Sequence, residues 1–276
     1  MTLVARNSLL RVGLILVFTL LLGFIAALVF IYTRGTESAL SDFDEGVNWL
    51  GLTWRSSPHH LYWLLSALLV QGLLSFVALG AMLRMFRKTT APEVFFFSVF
   101  VFSLALDMVK AGQLVIVILH YSPVYGAMLT RVVHFGHFFG IFCLLSSSLY
   151  LSGLEYQKTG IVLGIVTLLS LTLAYNVPVD FSRLFPSLMH PVGDQTTMQV
   201  VALILGTLVL INVLYALAAV QERALLVLLL ALVLIISARE AVLYVSRPIV
   251  YAVGIPFLIV GVGLFVWRIR KMYLWR

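Results

Sequence analysis

Residues 94–119 read VFFFSVFVFSLALDMVKAGQLVIVIL. This run is long enough to cross a bilayer, because about 20 apolar residues in a helix span the hydrocarbon core. Near its middle stand Asp107 and Lys110. Their spacing of three residues puts both side chains on one face of a helix. Charges at that depth are costly when they face lipid. We therefore expect other helices to cover this face of the run, which we call the central span.

The composition of the whole chain fits the same environment. Of 276 residues, 62% are hydrophobic and 11% are charged, whereas a soluble domain carries roughly 25% charged residues. The net charge of +7 comes from Lys and Arg between apolar runs, without the basic patch typical of nucleic-acid-binding proteins. The composition predicts the lipid bilayer as a partner and argues against nucleic acid. The single cysteine, Cys143, excludes an intrachain disulfide.

Hydropathy predicts an all-α, polytopic membrane helix bundle with eight transmembrane helices, one anchor plus a seven-helix set. The predicted spans are residues 10–32, 61–83, 94–119, 132–153, 160–177, 197–220, 224–245 and 249–267. Residues 1–60 are then an anchor helix plus a short external amphipathic segment, 61–267 the seven-helix bundle, and 268–276 a basic tail. The end of the seventh span has two alternatives. The span either includes Arg239 or ends before it, because its strictly apolar part is short and Arg239 follows it.

The distribution of Lys and Arg predicts the orientation. Segments on the side of the two termini hold eleven Lys and Arg residues, and the opposite segments hold five. Because cytoplasmic loops carry the excess of basic residues, we expect both termini in the cytoplasm and the protein in a bacterial cytoplasmic (inner) membrane.

The long polar connection after the first span also has a pattern. Leu40, Phe43, Val47, Leu50 and Trp54 recur at spacings of three and four, which is typical of one face of an amphipathic helix. We expect a short helix on the outer surface, and a loop packed on the bundle is the alternative.

Polar residues at mid-depth or in the outer half of the spans form the candidate site. At 1.5 Å per residue, its four charged members lie roughly 20–24 Å from the inner boundary. We predict cross-helix pairs of Asp107 with Arg239 and of Lys110 with Glu240, because an unpaired buried charge is strongly unfavourable. These residues form either a neutralised polar layer that fixes helix packing or a ligand-binding site. Its members are Gln71, Asp107, Lys110, Gln113, His134, His137, Arg239 and Glu240.

The sequence predicts no cofactor and leaves enzymatic activity undecided, with a non-enzymatic role favoured. A haem held by His120 with His134 or His137 is the alternative, since two imidazoles from different helices can ligate one. Asp107 has no second intramembrane aspartate, and phosphate-loop, nucleophile-elbow and His-Glu-x-x-His motifs are absent from the sequence.

Residues 87–98 read RKTTAPEVFFFS. A basic loop, a Pro-Glu pair and an aromatic run that opens a span resemble bacterial seven-transmembrane signalling receptors. The resemblance implies a seven-helix set that enters from outside and ends inside. It also implies a sensor that binds a small ligand or a partner. No output domain follows Trp267, so a cytoplasmic signalling partner is expected. A small-solute transporter and a structural or assembly subunit are the alternatives. The sequence shows no clear internal repeat and no paired broken helices, which argues against transport.

Overall fold

The computed structural model describes residues 2–34, 47–49, 52–54, 60–88, 91–153, 158–180, 182, 184–220, 224–245 and 247–274. Within these ranges, eight helical segments are long and apolar enough to cross a membrane. This confirms the predicted all-α membrane class. The helices are α1 (Leu3–Arg34), α2 (His60–Met85), α3 (Pro92–Leu104), α4 (Ala111–Ile118), α5 (Pro123–Leu151), α6 (Thr159–Asn176), α7 (Gln195–Val220), α8 (Ala224–Tyr244) and α9 (Pro248–Leu274).

The central span is the core of the bundle. It consists of α3 and α4 with a 3₁₀ segment, Ala105–Lys110, between them. Most of its residues are buried, whereas α1 and α6 are largely exposed. Its aromatic run packs on two neighbours: Phe97 stacks on Phe265 of α9, and Phe96 stacks on Tyr150 of α5. The prediction that other helices cover the central span is confirmed.

Three polar contacts bring both ends of the chain to one end of the bundle. Arg6 donates to the Phe86 carbonyl at 2.8 Å, and the Asn7 amide donates to the Arg87 carbonyl at 2.9 Å. Both acceptors lie just beyond the end of α2, where carbonyls lack partners within the helix. Tyr273 of α9 donates to the carboxylate of Glu93 at the start of the central span. We call this end of the bundle the terminal end.

The predicted amphipathic helix is wrong where the structure describes it. Val47–Trp49 (β1) and Leu52–Trp54 (β2) pair as antiparallel strands, with Val47 opposite Trp54. β-Branched and aromatic residues favour strands, and the two glycines of this stretch weaken a helix. The start of the predicted helix, residues 40–46, lies outside the described residues.

The start of α5 differs from the hydropathy prediction, and the end of α8 decides where the seventh span ends. α5 begins at Pro123 rather than near Val132, because proline is well suited to the first turn of a helix. α8 continues to Tyr244, and Arg239 within it is only 3% exposed. The seventh span therefore does not end before its charged residues.

The connection between α6 and α7 folds into the opposite end of the bundle, which we call the distal end. Val179 bridges Val192, and Leu188 takes a left-handed backbone conformation at φ 57°. Met189 packs in an apolar cluster with Val133, Leu243 and Tyr244. Residues 184–193, the distal loop, therefore cover the ends of α5 and α8.

Candidate functional site

Polar side chains from α2, the central span, α5 and α8 gather in the distal half of the bundle. All members except Glu240 are at most 3% exposed. They are linked to one another or to a neighbouring backbone by the contacts described below. We call this group the polar cluster; it consists of Gln71, Asp107, Lys110, His134, His137, Arg239, Glu240 and Tyr244.

Asp107 is held by α2. The Gln71 amide donates to Asp107 Oδ2 at 2.6 Å and to the Leu104 carbonyl at 3.1 Å. Asp107 Oδ1 and Gln71 Oε1 are buried and have no hydrogen-bond partner among the residues that the structure describes. The 3₁₀ segment repeats every three residues, so its winding stacks Asp107 and Lys110 one above the other. The two side chains therefore lie on one face of the segment, as their spacing in the sequence predicts.

Lys110 ties the central span to α8. Its ammonium donates to the carbonyl of Leu243 at 3.2 Å, and the side chain is 1% exposed. Leu243 lies in the last turn of α8. There the carbonyls lack helical partners and the helix dipole favours a cation. The predicted partner of Lys110, Glu240, does not accept this bond.

Arg239 turns toward α5. Its Nη2 donates to the carbonyl of Gly136 at 2.8 Å, and its guanidinium lies 5.3 Å from the ring centroid of Phe100. Gly140 makes room for it, because a Cβ at that position would overlap Arg239 Nη1. The cation thus packs directly on the backbone of α5.

The predicted ion pair between Asp107 and Arg239 is wrong. Within the described residues no ion-pair contact joins them, since Asp107 bonds to α2 and Arg239 to α5. A carboxylate has a short stem and takes the nearest donor, whereas the long arginine reaches across to a backbone carbonyl of α5.

Glu240 pairs with a histidine instead of Lys110. Its Oε1 lies 3.2 Å from His137 Nε2, close enough for an ion pair if the ring is protonated, but the two are not aligned as a hydrogen bond. The ring of Tyr244 meets His137 edge-on at 5.8 Å. The Glu240 side chain is 15% exposed, so it links the buried cluster to the outside of the bundle.

Gln113 belongs to a neighbouring group that binds the distal loop. Its amide donates to the Gly126 carbonyl at 2.6 Å and to Thr130 Oγ1 at 3.1 Å. The same hydroxyl accepts the backbone N–H of His190 at 3.1 Å, and the Thr130 carbonyl lies 2.9 Å from His134 Nδ1. Thr130 therefore joins the loop to the cluster.

The sequence interpretation missed Thr130, Tyr244 and the distal loop. A usable signal for the loop was the apolar residues of this connection, among them Leu188 and Met189, because a solvated loop has little use for them. Thr130 and Tyr244 carry no comparable signal, because such residues are common in apolar spans. His120, one of the three histidines considered for haem, lies on the exposed turn between α4 and α5, while His134 and His137 are buried.

Several buried atoms of the cluster have no hydrogen-bond partner in the described part of the chain. They include Asp107 Oδ1, His134 Nε2, Tyr244 Oη, and Nε and Nη1 of Arg239. Unsatisfied polar groups are especially unfavourable in a membrane interior. The cluster therefore offers both donors and acceptors to a polar molecule.

Fold and cluster together define the class: a multi-pass α-helical membrane protein with a charged interior. No family model, curated protein or solved structure matches the chain.

Proposed function

We propose that the protein is a membrane sensor that binds a small ligand at the polar cluster and signals to a partner protein at its terminal end. The observation that carries the proposal is the set of buried cluster atoms without partners, above all Asp107 Oδ1 and the two free donors of Arg239. Ionisable groups inside a membrane are rare and mark functional sites. If the cluster only fixed the packing of the helices, its donors and acceptors would be expected to pair with one another.

The central span supports the signalling part of the proposal. It carries Asp107 and Lys110 in its 3₁₀ segment, and Glu93 at its terminal end bonds to Tyr273 of α9. A 3₁₀ stretch in mid-helix is a common site of conformational change. Rewinding this segment on ligand binding would move Glu93 relative to the tail, where a partner can sense the change.

The orientation belongs to the same proposal. The excess of Lys and Arg on the terminal side supports cytoplasmic termini. We place the protein in a bacterial cytoplasmic membrane, with the polar cluster in the half of the bundle nearer the outside.

Native mass spectrometry of the purified protein tests ligand binding, because it detects a bound molecule by its mass before its chemical identity is established. We expect the wild type to retain a small-molecule adduct that Arg239→Gln and Asp107→Asn lose by about tenfold or more, since a hydrogen bond to a charged group contributes about 1.5–3 kcal/mol. Arg84→Gln is the matched control, because Arg84 is exposed at the end of α2.

The readout distinguishes loss of binding from loss of folding. Each variant must elute as the same monodisperse species as the wild type, and Arg239→Lys provides a second, milder change. An adduct that persists equally in folded Arg239→Gln and Asp107→Asn overturns the proposed site.

A small-solute transporter is the second candidate, because helices interrupted in mid-membrane often build transport sites. The 3₁₀ segment is such an interruption. The identified adduct, supplied to proteoliposomes as a radiolabelled compound, separates the two functions. Uptake that depends on Arg239 favours transport, and binding without uptake favours sensing.

A further inference from the structure

The cluster has a partly exposed carboxylate, Glu240, that faces a groove on the lipid side of the bundle. The groove lies between α7 and α8 and has a volume of about 300 Å³, which is within the range of small-molecule sites. Its walls are apolar, with Leu203 and Leu210 from α7 and Val233 and Ile236 from α8. Glu240 lies at its distal end.

The groove presents hydrogen-bond acceptors. The hydroxyls of Thr207 and Ser237 line it, but each donates to its own helix, at 2.8 Å to the Leu203 carbonyl and 2.7 Å to the Val233 carbonyl. The remaining lone pairs of these hydroxyls and the carboxylate of Glu240 are acceptors. Gln199 also lines the groove, but its side chain is buried and already engaged within the protein. A ligand seated here therefore needs a donor in its headgroup.

The charges of the cluster decide what kind of donor fits. With His134 and His137 neutral, the formal charges of the cluster are two negative, at Asp107 and Glu240, and two positive, at Lys110 and Arg239, so they sum to zero. An ammonium headgroup would add a net positive charge inside the membrane, and a carboxylate a net negative one. Either is costly at this depth. A neutral O–H group satisfies Glu240 without that cost.

We propose that this groove binds a single-chain amphiphile with a neutral hydroxyl headgroup, which donates to Glu240 while its alkyl chain lies between α7 and α8. The proposal rests on the proposed sensor function and names its ligand class and its route. The distal loop covers the bundle end above α5 and α8 with Met189. The ligand therefore reaches the cluster sideways, from the lipid.

A second groove of similar volume, without a carboxylate among its described lining residues, serves as a comparison for the first. It lies between α8 and α9, has a volume of about 330 Å³, and is lined by Val253, Phe257 and Ala241, with Ser237 as its hydroxyl. No charged side chain is among its lining residues in the described part of the chain. It therefore gives a control site of similar size that lacks the carboxylate.

Photo-crosslinking with a matched pair of probes tests the proposal. The probes are a decanol with a diazirine in mid-chain and its methyl ether, which has the same alkyl chain but no donor. The protein is held in phosphatidylcholine nanodiscs, and labelled residues are mapped by mass spectrometry. We expect the alcohol to label α7 and α8 about tenfold more than the ether, the effect of one hydrogen bond to a charged group.

Three variants locate the site. Glu240→Leu should reduce labelling by the alcohol to that of the ether. Val233→Trp should block the groove, whereas Val253→Trp should leave labelling unchanged, because these valines are 40% and 44% exposed in the two grooves.

Equal labelling by alcohol and ether, or labelling that survives Val233→Trp, overturns the groove. This failure differs from failure of the sensor itself. If the native adduct depends on Arg239 while alcohol and ether label equally, the groove is wrong and the sensor stands. If the alcohol labels the groove but the native adduct ignores Arg239, the sensor is wrong and the lipid-side site stands.

Discussion

At the scale of the residue, Arg239 shows how a membrane bundle holds a buried cation that contacts no carboxylate in the described part of the chain. It uses the carbonyl of Gly136, the face of Phe100 and the bare backbone at Gly140. Carbonyl and ring each supply partial negative charge. Asp107 stays free of Arg239, so one carboxylate oxygen remains available to a ligand.

We predict that Gly140→Ala destabilises the protein by about 1–3 kcal/mol, the usual range for overpacking a close-packed interior. The added Cβ would overlap both Arg239 Nη1 and Ser103 Oγ, and both groups are buried. Thermal unfolding in detergent measures the effect. Gly164→Ala in α6 is the control, since its Cβ would meet nothing within 4 Å. Equal unfolding temperatures for the two variants would contradict the packing of Arg239 on α5.

The two glycine pairs show what the sequence can predict at this scale. Gly136 with Gly140 and Gly160 with Gly164 have the same spacing. The first pair allows close approach by Leu106 and Arg239, whereas the second faces open space. Spacing alone cannot tell these cases apart, because the partner helix decides. The depth of the polar residues in their spans predicts that they are buried, but it does not predict which of them pair. The direction of each side chain depends on which donor or acceptor of a neighbouring helix lies within its reach.

At the scale of the element, the N-terminus of α7 has a cap that depends on pH. Asp194 precedes the helix and accepts from the Thr197 backbone N–H at 3.0 Å and from the Thr197 hydroxyl at 2.5 Å. Aspartate is among the preferred residues at this position. The hydrogen bonds from Thr197 lower the pKa of the Asp194 carboxyl below its ordinary value.

A lowered pKa fixes the sign of the pH effect. The cap contributes fully above the ordinary aspartate pKa and loses its contribution as the pH falls through the lower, folded-state pKa. We predict that Asp194→Ala lowers the unfolding temperature at neutral pH, and that its difference from the wild type shrinks below about pH 4. Asp194→Asn should keep the cap without this pH dependence, because asparagine also caps helices. A constant wild-type-to-alanine difference down to about pH 2 would count against a charged cap.

The central span marks the limit of element-level prediction. Its length, charge and burial follow from the sequence, because an apolar run with two charges must lie inside a bundle. The 3₁₀ winding does not follow. Ala105–Lys110 contains good helix formers, so the tighter turn reflects contacts with α1, α2 and α5 rather than propensity.

At the scale of the whole molecule, α1 packs against the rest of the bundle. It packs on α2 and on the central span, including the 3₁₀ segment. Arg6 and Asn7 bind the turn after α2. Hydropathy predicts that this helix exists but not where it docks, because its apolar surface is nearly uniform around the helix. The contacts of Arg6, Asn7 and Tyr273 are what bring the two ends of the chain together.

Cysteine labelling in intact cells tests the orientation of the whole bundle. The native Cys143 is buried and gives no background. Lys88→Cys and Lys271→Cys lie at exposed positions of the terminal end, and Asp194→Cys and Tyr121→Cys at exposed positions of the distal end. With the termini in the cytoplasm, a membrane-impermeant maleimide should label only the distal pair, and lysis should expose the terminal pair. Labelling of only the terminal pair would mean that the protein has the opposite orientation in the membrane, with the polar cluster nearer the cytoplasm. If Lys88→Cys is labelled and Lys271→Cys is not, the two positions lie on opposite sides of the membrane. The contact of Tyr273 with Glu93 would then be wrong.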